Sequence, residues 1–406
     1  MKKIIVIGGG SAGVFAAITA SNNNNNVILL EKNEKIGKKL FITGKGRCNI
    51  TNNSSVENVI NNVITNPKFL YSALNSLSPQ NVIDFFENNG LKLKTERGNR
   101  VFPNSDKSSD VIKCLQKVLV NKSVDIRLNT KVDKLLVEDG CIKGVIANNK
   151  KIFADSVIIA TGGISYPLTG STGDGYLFST QNGHTLIKPK SALCGIVTRN
   201  HGLFNTNNLA LKNVVLTAKS KNKTLYTELG EVTLTDYGIS GPLALTCSSY
   251  INKKDFADVE IYLDFKPGLN NDALEQRIIK DVNKYKNITL FDEMKNLVPS
   301  STINAILAQG NLNKAKIISD LSVAERKKLV EVLKNFNIKP VKLRPIDEAI
   351  VTSGGISVKE INPQTMESKL IKNLFFAGEV IDVDALTGGY NIQIALSTGY
   401  IAGLNA

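Results

Sequence analysis

The alternation of apolar and polar positions sets the first expectations. Lys3–Ile7 is a short apolar run of β-branched residues, followed by Gly8-Gly9-Gly10-Ser11-Ala12-Gly13, an apolar helical stretch, and a second apolar run, Val27–Leu30, ending in Glu31. That order predicts a strand, a tight turn, a helix and a second strand. Ser156–Ala160 is uniformly apolar, as a central parallel strand is, and ends in Thr161-Gly162-Gly163. Leu374–Ala377 reads as another buried strand and Asn391–Leu404 as an apolar helix. Between these, helical periodicity predicts Pro67–Ser76, Pro79–Asn88 and Ser108–Leu119. Val124–Leu128 reads as a strand, and Lys131–Glu138 with Ile142–Asn148 as a hairpin. Lys35–Asn53, rich in Gly, Lys and Thr, has no clear period and reads as a long loop, and long ordered loops in α/β domains tend to be functional.

Around Pro189 the texture changes. Asn213–Ala218, Leu225–Thr227 and Val259–Phe265 alternate like antiparallel strands, and Asn271–Lys284, Ser301–Gln309, Ile317–Leu321 and Ala324–Asn335 carry helical periods. The expected fold class is α/β, with a Rossmann-like domain split by an insertion. Residues 1–188 and 344–406 form the dinucleotide domain, 189–268 an inserted β domain and 269–343 a helical subdomain.

The first turn carries the most specific chemistry. G-x-G-x-x-G with a strand before it, a helix after it and an acid at the end of the next strand is a dinucleotide fingerprint in its required context. Gly8 allows the turn, Gly10 lets backbone approach a pyrophosphate, and Gly13 lets the helix pack on the strand. The N–H groups of Ser11 and Ala12 and the helix dipole favour phosphate. Glu31 is placed to accept from the ribose hydroxyls.

That fingerprint binds the ADP half shared by NAD and FAD, and the C-terminal segment favours FAD. Gly378-Glu379 after a strand lets an acid bind the ribityl chain. Gly388-Gly389 at a helix start aims N–H groups at an anion, here the N1–C2=O edge of the flavin; a simple turn before a helix is the alternative. Ala160, Thr161 and Gly162 suit close backbone approach to the same dinucleotide, and Val132 sits where a hairpin strand could read adenine.

Composition narrows the rest. In 406 residues there are only two histidines, His184 and His201, read as structural, so no multi-histidine metal centre is expected. The five scattered cysteines form no C-x-x-C pair. Met1-Lys2-Lys3 with its apolar run mimics a signal peptide, but glycines interrupt it and the fingerprint continues to Glu31. No other apolar segment reaches the ~18 residues of a membrane span. A cytoplasmic protein with no membrane partner is expected. The net charge of +14 is spread along the chain without an Arg-rich, aromatic-interleaved run, so it reads as a basic surface that attracts anionic cofactors before it reads as a nucleic-acid site.

The chain also resembles a family. Gly37-Lys38-Lys39-Leu40 with Thr43-Gly44-Lys45-Gly46-Arg47-Cys48-Asn49-Ile50-Thr51-Asn52, Arg100-Val101-Phe102-Pro103, Ala160 to Pro167, Gly170 to Gly175, Gly238-Ile239-Ser240-Gly241-Pro242, Val351 to Gly355, and Gly378 onward are similar to the BaiN/YhiN-type bacterial NAD(P)/FAD-dependent oxidoreductases. These are also grouped as aminoacetone-oxidase-family flavoproteins. The resemblance implies one bound FAD, a β-barrel-like insertion with a helical subdomain, and cofactor neighbours Lys39, Thr43, Gly44, Gly46, Arg47 and Cys48 along the flavin, while Lys32, next to Glu31, counts among the cofactor-binding residues. Glu379, Asp384, Asn391 and Ile392 would contact the ribityl chain and ring. Asp236 stands where the family often has a His. The expected activity is hydride transfer from NAD(P)H, a transient reductant since no second complete fingerprint exists, through flavin N5 to an activated C=C or C=N of a small organic substrate. Alternatives are an O2-using amine oxidase and, from another class, an FAD-containing nucleic-acid-associated protein. No catalytic group is assigned. Arg47, Tyr166 and Tyr390 are the candidates, and Cys48 reads first as a packed cysteine. Substrate identity, nucleotide preference and oligomeric state are not encoded in any motif.

Overall fold

The computed structural model describes residues 1–199, 208–285 and 287–406. His201 therefore lies outside the described residues. The chain divides into two compact units, Met1–Lys190 with Ile346–Ala406, and Ser191–Pro345.

The first unit is built on a five-stranded parallel sheet. Lys3–Ile7 is central, flanked by Asn26–Leu30 and then Asp125–Arg127 on one side, and by Ser156–Ile159 and then Leu374–Phe376 on the other. Every strand pair in it is parallel, so all carboxyl ends share one edge. The chain crosses to one side after the first strand and reaches the other side later, which makes that edge a topological switch point. The uniform apolar runs follow from burial on both faces: Ile4, Ile5, Val6, Val157, Ile158 and Ile159 are all fully buried.

Two helices pack on one another beside this sheet, Ser11–Ala20 and the C-terminal Tyr390–Asn405. A Cβ on Gly399 would stand 2.3 Å from Ala12 O, and one on Gly403 would stand 2.3 Å from Ala16 O. Bare glycine backbone is what lets the two helix backbones touch. Because position 399 meets 12 and 403 meets 16, the helices run in the same direction.

The second unit has its own core and a seven-stranded antiparallel sheet. Its centre is a long hairpin, Leu209–Ser220 with Lys223–Leu234, whose register shifts twice. Helices Gly241–Ile251, Asn271–Lys284, Ser300–Gly310 and Val323–Lys334 belong to this unit. The periodicity at Ile317–Leu321 yields only a single 3-10 turn, Ile318–Asp320.

Candidate functional site

The chain leaves the first strand through Gly8, whose φ of +106° and 2.5 Å approach to Ala160 O would both resist a side chain. Gly10 caps the first helix, and nothing lies within 4 Å of where its Cβ would be, so the turn faces open space. Val14 N–H is already bonded to Gly10 O. The N–H groups of Ser11, Ala12 and Gly13 precede it in the first turn, where no intrahelical acceptor exists.

Glu31 closes this end. Its Oε2 accepts from Gly9 N–H at 2.7 Å, and its Oε1 accepts from Asn33 N and Nδ2 at 2.8 and 2.7 Å. A carboxylate offers about four acceptor sites, so the protein itself takes most of them and leaves room for a hydroxyl donor. Thr130 N–H donates to Glu31 O, which brings the segment leading into buried Val132 alongside. Lys32 Nζ pairs with Asp174 at 2.7 Å and contacts Thr172.

At the other end, Gly378 N–H donates to Thr398 Oγ1 of the C-terminal helix, and its Cβ would meet Ala12 Cβ at 2.7 Å. Glu379 is held by three segments. Its Oε2 meets Lys39 Nζ at 2.7 Å, and its Oε1 accepts from Ser165 Oγ at 3.1 Å and Thr352 N–H at 2.8 Å. Lys39 Nζ also donates to Ser165 Oγ at 2.7 Å. This knot fixes the 38–46 helix to the carboxyl edge of the sheet, and it occupies the carboxylate expected to bind ribityl. Asp384 is fully buried and accepts from Ser353 Oγ at 2.8 Å. Asn391 is likewise turned inward: its Nδ2 donates to Ala385 O and Leu386 O, and its Oδ1 accepts from Ala385 N–H. Ile392, next to it, is half-buried.

Gly388 and Gly389 both have positive φ and lead into the C-terminal helix. Two asparagines outside the expected site flank this turn. Asn52 Nδ2 donates to Gly388 O at 3.0 Å, and Asn49 Oδ1 lies 3.0 Å from where a Cβ of Gly389 would be. The Oδ1 atoms of both are buried without a hydrogen-bond partner, as is Thr161 Oγ1, beside Ala160 and Gly162. Sequence reasoning assigned neither asparagine, though both stand in the Arg47–Asn52 motif.

The stretch expected to be a loop contains a helix, Lys38–Gly46, broken by non-helical Thr43, Gly44 and Lys45. Leu40 is its only buried residue, so no apolar stripe marks it in the sequence. Gly46 and Cys48 have positive φ, and Cys48 N–H closes the turn on Thr43 O at 3.0 Å. Burial pushes the Cys48 thiol up to about 12, so at neutral pH it is a protonated packing group and not a nucleophile. Arg47 lies between Glu96 and Asp106, over the Phe102 ring with its guanidinium carbon 4.1 Å from the centroid. Its charge is met by those acids, and it anchors the loop. Tyr390 is buried, its phenol raised by that burial, with Asn58 Nδ2 donating to its hydroxyl at 3.4 Å. Tyr166 lines a groove of about 430 Å³ with Lys35, Lys38, Phe41, Ile42 and Leu168.

His184 is buried between Ser179 O and Ser368 Oγ, 2.7 Å from the latter. Ser368 Oγ already accepts from the N–H groups of Leu370 and Ile371, so it donates to Nε2 and the ring is neutral with its proton on Nδ1. Burial lowers its pKa. The role is structural.

The two glycine turns suit one extended dinucleotide. The helices run the same way, and residue 390 stands nine positions before Gly399, the partner of Ala12. At the standard rise, the second helix mouth lies about 13 Å beyond the level of the first. Open space at Gly10, donors at both helix starts and unpartnered oxygens at Asn49 and Asn52 fit a ligand such as FAD, with phosphate at one mouth and a polar heterocycle at the other. Among the described residues, no group of three or more His, Cys, Asp or Glu could hold a metal, and no helix is long and apolar enough to cross a membrane.

The chain is 30% identical over 378 residues to the 3-dehydro-bile acid delta(4,6)-reductase of Clostridium scindens, covering 92% of this chain and 91% of the relative. It is 27% identical over 378 residues to the ribosomal RNA dihydrouridine synthase of Haemophilus influenzae, with the same coverages. A solved 3-ketosteroid delta1-dehydrogenase from Sterolibacterium denitrificans, in complex with 1,4-androstadiene-3,17-dione, shares the fold at a TM-score of 0.52 and 13% identity, over 99% of both chains. The HI0933-like protein Rossmann domain matches residues 2–405. The chain therefore belongs to the HI0933-like Rossmann-domain family and is an enzyme of the oxidoreductase class.

Proposed function

We propose that this chain holds one FAD along the carboxyl edge of its parallel sheet and reduces a C=C bond conjugated to a carbonyl, with NAD(P)H as the reductant. The observation that carries the reading is the pair of same-facing helix mouths at Gly10 and Gly389, offset along one axis and bordered by unpartnered buried oxygens. Bound FAD supplies a hydride carrier at flavin N5 between nicotinamide and substrate.

The chain's own groups would divide the work of holding it. The N–H groups of Ser11, Ala12 and Gly13 would take the pyrophosphate, Glu31 the adenosine ribose, and the backbone at Val132 the adenine. The N–H groups that open the C-terminal helix would take the flavin N1–C2=O edge and stabilise the charge it gains on reduction. Thr43, Gly44, Gly46 and Cys48 would supply backbone along the ring, with Arg47 and Lys39 fixing that segment through their acids. Reduction of a conjugated C=C needs a proton at the carbon that does not receive hydride. Tyr166, on its groove, is the candidate donor.

The relatives' names support a carbonyl-conjugated acceptor over an amine. A 3-dehydro steroid with delta(4,6) unsaturation carries a dienone, and dihydrouridine is uridine reduced at the C=C next to its C4 carbonyl. A second reading, reduction of uracil in RNA, is favoured by the 27% identical relative and the +14 charge. One experiment separates the two. The protein and NADPH or NADH are offered a steroid 4-en-3-one and, in parallel, a uridine-containing ribosomal RNA, and nucleotide consumption and reduced product are measured. Turnover of the steroid alone supports the small-molecule reading. Turnover of RNA alone replaces it. Turnover of neither, with flavin bleaching intact, points to a different conjugated acceptor.

A further inference from the structure

Asn52 lies on the two-residue strand Thr51–Asn52, paired with Arg100–Val101, and is 1% exposed. Its Nδ2 donates to Gly98 O and to Gly388 O, each at 3.0 Å. An asparagine amide can usually be turned over without a change of shape. Here the reversed amide would set its oxygen against two carbonyl oxygens, so the orientation is fixed and Oδ1 is an acceptor. That oxygen is buried and has no partner. A buried acceptor held in place and left unmet is costly in a folded protein. It implies a donor that arrives with a ligand.

The neighbouring groups say which donor. Gly388, whose carbonyl this amide holds, leads through Gly389 into a 16-residue helix. The first intrahelical bond there is Gln393 N–H to Gly389 O, so the N–H groups of Tyr390, Asn391 and Ile392 start the helix without intrahelical acceptors. The turn thus presents donors at the helix mouth and one fixed acceptor beside them. The complementary ligand edge has a carbonyl acceptor and an N–H donor side by side. The imide edge of a flavin, C2=O next to N3–H, has that order. The adenine end of the dinucleotide is accounted for at Glu31, on the other turn. Asn391, the nearby side chain that sequence suggested for the ring, is tied to Ala385 and Leu386 and cannot serve.

We propose that Asn52 Oδ1 accepts the flavin N3–H, which makes Asn52 the side chain that reads the heterocycle. The proposal rests on the FAD reading above, and its test separates the two. Apoprotein is titrated with FAD and with FAD methylated at N3, with binding followed by quenching of flavin fluorescence. The wild type should bind the methylated cofactor roughly tenfold or more weakly than FAD, since one hydrogen bond is lost and its acceptor is left buried. Asn52→Ala should bind FAD more weakly than wild type and bring the two cofactors to within about threefold of each other. If Asn52→Ala does not fold, Asn52→Leu, closer in volume, gives the same readout. Equal binding of both cofactors by the wild type overturns the role of Asn52 and leaves FAD in place. Discrimination that persists unchanged in the variant overturns it too, because another acceptor then reads N3. No binding of FAD at all overturns the FAD reading itself.

Discussion

The glycine turn at Gly8–Gly13 and the one at Gly388–Gly389 start two helices that pack side by side, yet they are built differently. The first is internally complete. Gly8 abuts Ala160, Glu31 is bonded to Gly9 and Asn33, and what the turn leaves over is the free N–H groups of the helix start beside Gly10 and one acceptor site on Glu31. The second is incomplete, with the oxygens of Asn49 and Asn52 beside it and unmet. A turn that offers helix N–H groups and a ribose acceptor suits the adenosine diphosphate half that dinucleotides share. A turn that offers donors and a fixed acceptor can distinguish heterocycles. With FAD held as proposed, the first turn would supply affinity for a dinucleotide and the second would read the identity of the cofactor.

Variants break or sharpen that contrast. Gly13→Val should have the largest effect, because a Cβ there stands 1.9 Å from Gly8 O and the first turn cannot close. Flavin content of the purified protein should fall below roughly a tenth of wild type. Gly399→Leu should damage both turns together by prising the two helices apart at Ala12. Overpacking of this kind costs about 1–3 kcal/mol or more, so the melting temperature and FAD affinity should fall in parallel.

Removing one partner of the Lys39–Glu379 pair should cost less. Both side chains are about a fifth exposed, 23% and 21%. Glu379→Gln keeps the hydrogen bonds to Ser165 and Thr352 in reach but leaves the ammonium without its charge partner. A loss of about 1–2 kcal/mol in stability is expected, together with looser binding at the second turn. Intact FAD affinity in that variant would separate the knot from the site. Cys48→Ala should leave the rate of flavin reduction by NAD(P)H within about threefold of wild type, since a protonated, buried thiol takes no part in the chemistry.

The last test of the contrast is a pH dependence. The pKa of His184 is lowered in the folded protein, whereas in the unfolded chain it returns to its ordinary value near 6.5. Above that value both states are neutral and His184 adds no slope. Below it the unfolded chain takes up the proton first, so stability falls as pH drops, by at most about 1.4 kcal/mol per unit until the folded value is reached. Thermal melts from pH 7.5 to 5 should show this decline, and His184→Gln should flatten it. His184 sits against Phe376, in the strand that leads to Gly378, with ring centroids 5.1 Å apart.

The contrast between the turns also explains what could be read in the sequence. The strands Lys3–Ile7 and Ser156–Ile159 were legible because burial on both faces demands unbroken apolar runs, and the first turn because its function is local, within Gly8 to Glu31. The helix Lys38–Gly46 was not, since it buries only Leu40 and breaks at Thr43–Lys45. Gly241–Ile251 was missed for the opposite reason: it is buried nearly all round, and its buried hydroxyls Thr246, Ser248 and Ser249 break any apolar period. At the second turn the decisive contacts join residues 336 and 340 positions apart, Asn52 to Gly388 and Lys39 to Glu379. No local pattern encodes such pairs. Lys39 and Glu379 were singled out, but as separate cofactor contacts. Their bond to one another, and the inward turn of Asn391, appear only in three dimensions.

The central claim is that both turns hold a single FAD that passes electrons from a nicotinamide nucleotide. The most direct measurement is the anaerobic absorption spectrum of the purified protein before and after mixing with NADPH or NADH. The account predicts a flavin spectrum that bleaches with at least one of them and recovers when a conjugated enone acceptor is added. A protein that neither carries FAD nor takes it up, or a flavin that both nucleotides leave oxidised, would contradict it.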